Sequence, residues 1–178
     1  MALFASFFIF QSAESAISLE SKVKAAYIYK LLNFVNWNET TNFQKNKSTI
    51  NICVVGDDPI KEAVQLLKNK TVKGRTITVH QKYSYNKLSD CQIVFVTRSQ
   101  TGKLEELLLK IDSREKLTIS DIQGFAKLGG LVELAVVEDK VKLLINKNKV
   151  QESKIQFSSK LMSIARLVGG NGVNVRAQ

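Results

Sequence analysis

Two cysteines, one histidine and a few acidic residues at strand ends are where this sequence could do chemistry. Cys53 lies in the β-branched run Thr49-Ile-Asn-Ile-Cys-Val-Val55, and Cys91 immediately precedes the apolar run Gln92-Ile-Val-Phe-Val96. In a parallel sheet two such positions can sit side by side, within the short Cα spacing that a disulfide demands. A bridge there would stabilise the fold by roughly 4 kcal/mol on the chain-entropy account. Two reduced core cysteines are the other reading of the pair. No Cys-x-x-Cys is present, so thioredoxin-like exchange has no support. His80, the single histidine, falls at a strand end. It lacks the companions that a zinc site or a nucleophilic triad requires, so an ordinary strand-end histidine is the better reading.

The acidic candidates are of two kinds. Val54-Val-Gly-Asp-Asp-Pro59 reads as a strand-to-helix turn that could offer backbone N–H groups to an anion. It has neither the glycine pattern of dinucleotide sites nor the Gly-Lys-Ser/Thr of a P-loop. Asp57 and Asp58 would repel a phosphate, so helix capping is the better account. Asp57, Asp58 and Lys103 superficially suggest a phosphorylation receiver, but the third strand ends Val96-Thr-Arg98 with no acceptor aspartate. The stretch Ser120-Asp-Ile-Gln-Gly-Phe125, followed by Gly129-Gly130, is the stronger candidate, because loops after parallel strands are where open α/β sheets bind ligands. It gives a ligand or partner loop built on Asp121, Gly129 and Gly130, with Arg75 and Asn146 as polar neighbours. The structural alternative has Asp121 capping the next turn and the glycines supplying positive φ. No residue is assigned a catalytic role, and no metal or cofactor is expected.

The elements that must position these residues follow from periodicity. Val23, Ala26, Tyr27, Leu31, Phe34 and Val35 recur at helical steps and predict one helix over Leu19–Trp37. Residues 38–48 are polar and read as a loop. A strand over Thr49–Val55 leads through Gly56 into a helix carrying Ile60, Ala63, Val64 and Leu67. Val72–Val79 holds a second strand with a turn or bulge at Gly74-Arg75. The run at 92–96 is a third, doubly covered strand. A helix with Leu104, Leu107, Leu108 and Ile111 follows, then a fourth strand over Lys116–Ser120. Leu131–Val137 and Val141–Ile145 form a hairpin. A last helix spans Ser158–Val168, burying Leu161, Ile164, Ala165 and Leu167 or Val168, before Gly169-Gly170 and a loose tail. The alternation predicts an α/β fold: a Rossmann-like, mostly parallel sheet with helices on both faces and a C-terminal hairpin plus helix.

Residues 2–10, Ala-Leu-Phe-Ala-Ser-Phe-Phe-Ile-Phe, are apolar but too short to span a bilayer. Ala13 and Ser15 fit the −3 and −1 positions of a cleavage site, so residues 1–15 read as a secretory signal peptide and 16–178 as one exported domain. A cysteine pair agrees with an oxidising compartment. The chain has 178 residues, 44% hydrophobic and 24% charged, the balance of one globular domain. Its net charge of +10 is carried mainly by scattered lysine, without the clustered arginine that nucleic-acid sites use. A solvated basic surface, or attraction to an acidic partner, accounts for it. No nucleic acid and no integral membrane segment in the mature chain are expected.

In their order these pieces resemble the YfiR family of periplasmic proteins. The matching residues are Val23-Lys-Ala-Ala-Tyr-Ile-Tyr-Lys30 through Phe34-Val-Asn-Trp37, Ile52-Cys-Val-Val-Gly-Asp-Asp-Pro59, Val72-Lys-Gly-Arg75 and Cys91-Gln-Ile-Val-Phe95. They continue with Leu117-Thr-Ile-Ser-Asp121, Gly124-Phe-Ala126, Gly129-Gly130, Lys142-Leu-Leu-Ile-Asn146 and the helix from Ser158 to Ala165. The resemblance implies a Rossmann-like periplasmic repressor, often a homodimer. It would bind the periplasmic region of a membrane diguanylate cyclase of the YfiN type, lowering cyclic di-GMP and restraining biofilm formation. An outer-membrane lipoprotein of the YfiB type would sequester it. The resemblance also implies a structural disulfide at Cys53 and Cys91. The second cysteine pair that YfiR carries near the Gly-Gly stretch has no counterpart here. A periplasmic small-molecule sensor or carrier is the alternative function.

Overall fold

The computed structural model describes residues 16–38, 48–81 and 88–169. The expected signal peptide and the tail beyond Gly169 lie outside these residues. Helix α1 (Leu19–Leu32) is followed by β1 (Val35–Trp37), β2 (Thr49–Val55), α2 (Ile60–Gln65), β3 (Thr71–Val72), β4 (Arg75–Gln81) and β5 (Ile93–Val96). A 3₁₀ turn at Arg98–Lys103 leads into α3 (Leu104–Lys110). Then come β6 (Leu117–Ser120), β7 (Val132–Val137), β8 (Lys140–Asn146), α4 (Lys147–Glu152), β9 (Ile155–Phe157), α5 (Ser159–Ile164) and β10 (Arg166–Val168).

Eight strands form one sheet in the order β10-β8-β7-β6-β5-β2-β4-β3. β4, β2, β5, β6 and β7 run parallel to their neighbours, and the hairpins β3–β4 and β7–β8 supply the antiparallel pairs. The chain therefore starts in the middle at β2, goes to β4 on one side, and returns to β5 on the other. Ligands in such sheets usually sit where that direction reverses. This is the mostly parallel α/β architecture that the sequence predicts.

The pleat sends alternate side chains to two separate cores. Ile50, Ile52 and Val54 of β2, with Ile93, Phe95, Leu117 and Ile119, pack against Ala25, Ile28 and Leu32 of α1 and Ala63 and Val64 of α2. Cys53, Val55, Val94 and Val96 face the other way, onto Leu104 and Leu107 of α3, Ile111, Ile122 and Phe125. β5 and β6 are buried on both faces, which is why they read as continuous apolar runs. The Cys53–Cys91 disulfide lies in the second core, with Cα atoms 5.8 Å apart across 38 positions of sequence.

Several boundaries differ from the sequence reading. The helix expected over Leu19–Trp37 stops at Leu32, and Val35 to Trp37 instead pair antiparallel with Ile155 to Phe157. Val35 and Trp37 are buried and Asn36 is exposed, a period of two that a 3.6-residue search absorbs into the preceding helix. The turn or bulge expected at Gly74-Arg75 within Val72–Val79 is a hairpin turn one residue earlier, joining β3 to β4. Lys73 and Gly74, at φ 51° and 75°, make its two-residue turn. The helix expected over Ser158–Val168 ends at Ile164, because Arg166 to Val168 find a parallel partner in β8. Of the side chains expected to be buried there only Leu161 is, whereas Ile164 is 70% exposed and Leu167 is exposed. α4 and β9 were not foreseen. Asn146 caps α4, its Oδ1 accepting the Lys149 N–H at 3.0 Å.

Replacing Cys53 and Cys91 together by Ala frees a closed loop of this length in the unfolded chain and should cost about 2–4 kcal/mol. Denaturant unfolding of wild type and variant, each with and without reductant, measures it. Curves that coincide in all four conditions would contradict a bridge that supports the fold.

Candidate partner-binding site

At the reversal between β2 and β5 the backbone is closely packed. Gly56, at φ 101°, lies so close to Thr97 Oγ1 and Ser99 Oγ that a Cβ on it would collide with both. The Asp57 N–H donates to Ser99 Oγ at 2.9 Å, and the Thr97 and Ser99 hydroxyls are also 2.9 Å apart. Thr97 and Ser99 thus pack directly on the turn after β2, and a concavity of about 700 Å³ lies open beside that turn, lined by Ile17, Ser18, Asp57, Asp58 and Pro59. Asp58 Oδ1 accepts the Ile60 N–H at 3.2 Å and Asp57 pairs with Lys61, so the acidic turn serves the start of α2. His80 Nε2 lies 3.2 Å from Thr78 Oγ1 at the surface. Among the described residues no three His, Cys, Asp or Glu side chains gather to hold a metal ion.

Asp121 stands at the end of β6 with its side chain 3% exposed. Its Oδ2 accepts from Lys24 Nζ at 2.8 Å, and Lys24 is itself 1% exposed. Arg98 Nε reaches the same oxygen at 3.0 Å, and Arg98 Nη2 donates to Glu20 Oε1 at 3.3 Å. Lys24 also pairs with Glu20 one turn earlier in α1. Two cations and two anions therefore tie α1 to the carboxyl edge of the sheet. The hydrogen bond from Lys24 holds the Glu20 carboxyl below its ordinary value of 4.5, and the charges of Lys24 and Arg98 push the same way against partial burial. The sequence singles out Asp121 but not Lys24, Arg98 or Glu20. The spacing of Glu20 and Lys24 is the one legible signal.

The turn after Asp121 is capped by its neighbour instead. Ser120 Oγ accepts the Ile122 N–H at 3.0 Å and donates to Val96 O at 2.7 Å. Glu133, 3% exposed, takes the Gly124 and Ala126 N–H groups on its two carboxylate oxygens, each at 3.1 Å. Asn146 Nδ2 donates to Ala126 O at 2.7 Å. Gly130 lies against the buried Phe125 ring, leaving no room for a side chain, and Gly129 has φ 115°. Asn146, Gly129 and Gly130 thus hold the shape of the 121–131 loop. Arg75 does not join them. It begins β4 at the opposite end of the sheet, beside Lys73 and Trp37 in a small pocket of about 150 Å³. Burial and the nearby Arg75 charge push the Lys73 ammonium below its ordinary value.

Another concavity lies along α1. A groove of about 820 Å³ runs between Leu19, Val23, Tyr27 and Phe34 on one wall, Val141 and Leu143 on its floor, and Leu161 and Ile164 opposite. Lys30, Lys140 and Lys142 edge it. Leu19 is 77% exposed, and Tyr27 and Val136 at the same groove are also open to solvent. Apolar side chains clustered on a surface in this way mark an interaction site. The sequence could not show it, because its walls come from segments more than a hundred residues apart.

Fold and site together define an open α/β domain with a tightly packed turn after β2 and an apolar surface exposed beside its first helix. The chain belongs to the YfiR/HmsC-like family, whose sequence model matches residues 21–166. That family is one of non-catalytic periplasmic regulators in cyclic di-GMP signalling. No curated protein matches the chain. Among solved structures, the chain is similar to the ABC domain of Streptococcus pneumoniae in complex with L-Trp. That likeness has a TM-score of 0.56 at 14% identity and covers 84% of this chain and 60% of that one. A conserved domain protein of Vibrio cholerae matches with a TM-score of 0.53 at 10% identity, over 83% of this chain and 59% of that one. The chain thus spans about three fifths of each, and at such identity the likeness is one of fold.

Asp121→Ala should cost about 3–5 kcal/mol, because it leaves the Lys24 ammonium buried beside fewer acceptors. Lys24→Met with Asp121→Leu should recover most of that loss. Chemical denaturation measures both, and a double variant no better than the single would refute the clamp. Glu20 contributes stability that is present above its ordinary value and lost as pH falls through its lower folded value. The difference in stability between wild type and Glu20→Gln should therefore be constant near neutral pH and shrink in acid.

Proposed function

We propose that this chain works in the bacterial envelope as a repressor that binds the periplasmic region of a membrane diguanylate cyclase of the YfiN type, lowering cyclic di-GMP and restraining biofilm formation. The observation that carries this reading is the exposed apolar groove beside α1. Family membership supports the pathway, and a disulfide between Cys53 and Cys91 fits an oxidising compartment. No helix among the described residues is long and apolar enough to cross a membrane. The mechanism is a population shift. A surface that binds the inactive arrangement of the cyclase more tightly than the active one draws it towards inactivity by the difference in affinity. An outer-membrane lipoprotein of the YfiB type competing for this protein would release the enzyme. A periplasmic small-molecule sensor or carrier is the second reading, and the concavity beside Asp57 and Asp58 at the end of β2 is where its ligand would sit.

Deleting the gene should raise cellular cyclic di-GMP, and restoring the wild-type chain should lower it again. Ile164→Asp, at an exposed position, should fold and be exported yet fail to restore repression. An unchanged nucleotide level on deletion would defeat the repressor reading.

A further inference from the structure

We propose that the groove beside α1 takes one amphipathic helix of a protein partner, and that the polar flank of this helix is acidic. The inference rests on the reading of the chain as a partner-binding regulator and adds the chemistry of what binds.

Helix α1 is apolar on two sides. One stripe, with Ala25, Ile28 and Leu32, is spent on the sheet. A second, with Leu19, Val23, Tyr27 and Phe34 at steps of four, four and seven, lines the groove. A surface helix with one packing partner needs one such stripe, so the second calls for another neighbour. Val141 and Leu143 of β8 lie beneath it, on a stretch that β10 leaves without a described partner. That free stretch, 140–143, is too short for an added strand to run the length of the α1 stripe, which a helix laid alongside covers. The wall itself is 14 residues long, about 21 Å at 1.5 Å per residue, which suits a guest of three to four turns.

Charge selects among such guests. Lys30, Lys140 and Lys142 edge the groove, and none is ion-paired among the described residues. Of the acids lining it, Glu20 is already matched by Lys24 and Arg98, leaving Asp139 at the hairpin turn. The rim is therefore net positive. An acidic flank would find complementary charge there and be steered towards it. A second copy of this chain docking groove to groove would instead bring lysines against lysines across an isologous contact.

The test uses the exported chain and two synthetic helical peptides. Both carry leucines at i, i+3, i+4 and i+7, one with glutamate and one with lysine along its flanks, and binding is read by fluorescence anisotropy. The glutamate peptide should bind about ten-fold tighter or better, with the advantage shrinking as salt is raised. K30E/K140E/K142E should invert the preference, and Ile164→Asp should abolish binding of both peptides. Equal affinities, no binding, or an unchanged preference in the triple variant would overturn the proposal. So would a dimer that Ile164→Asp dissociates, or saturable binding to phosphatidylglycerol vesicles that the same substitution removes. In cells the two claims separate. If Ile164→Asp loses repression while the triple variant keeps it, the repressor reading stands and the acidic helix falls. If deletion leaves cyclic di-GMP unchanged, the repressor reading falls, and the peptide preference still judges the groove.

Discussion

A lysine and an aspartate taken out of water must be held by excellent geometry, since desolvating two charges costs several kcal/mol per ion. Lys24 and Asp121 are held as part of a foursome through one carboxylate oxygen of the aspartate, while Asp121 Oδ1 is buried without a hydrogen-bond partner among the described residues. Arg98 shares the aspartate oxygen, and Glu20 answers both cations from the more exposed side. The arrangement fixes which face of α1 turns towards the sheet. With Lys24 pointing in at Asp121, the stripe of Leu19, Val23 and Tyr27 is left facing outward over β8. Ile28 and Leu32 would pack against the sheet at several helix rotations, but a paired charge at the strand end permits one.

The turn after β2 is built at the same edge. Gly56 approaches Thr97 and Ser99 because no side chain intervenes, and the hydroxyls of those two residues meet beside it. The 121–131 loop is likewise committed to structure. Glu133 gathers two of its amides and Asn146 one of its carbonyls, so its polar groups are spent internally. What remains available is apolar surface with cationic margins. Such a surface suits recognition of another macromolecule better than chemistry on a small one.

Most of the architecture was legible from the sequence. β2, β5 and β6 carry continuous β-branched and apolar residues because both their faces are covered, and the alternation of these runs with helical spacing gave the parallel sheet. The failures lie where an element exists only through a distant partner. Val35–Trp37 is a strand because Ile155–Phe157 lies beside it, and Arg166–Val168 because β8 does. The candidate site divides in the same way. Asp121 stands out by its position after a strand, Gly129 and Gly130 share its loop, and Asn146 braces that loop from the end of β8. Lys24 looked like one more surface lysine, since nothing local to α1 announces burial. Arg75 was drawn in by its place in the motif, yet it sits at the far end of the sheet.

The sheet ends in stubs on both borders, β10 with three residues and β3 with two. A long bare border is a template on which a neighbouring chain can lay down another strand and begin an aggregate. Here the central strands are sheltered between companions. The two border strands themselves offer two or three residues each to an incoming backbone, and Arg166 on one of them adds a charge that such stacking would have to bury. Where β8 runs on past β10, Lys140 and Lys142 put further charge on the exposed border, a device that discourages chains from stacking beside the greasy groove.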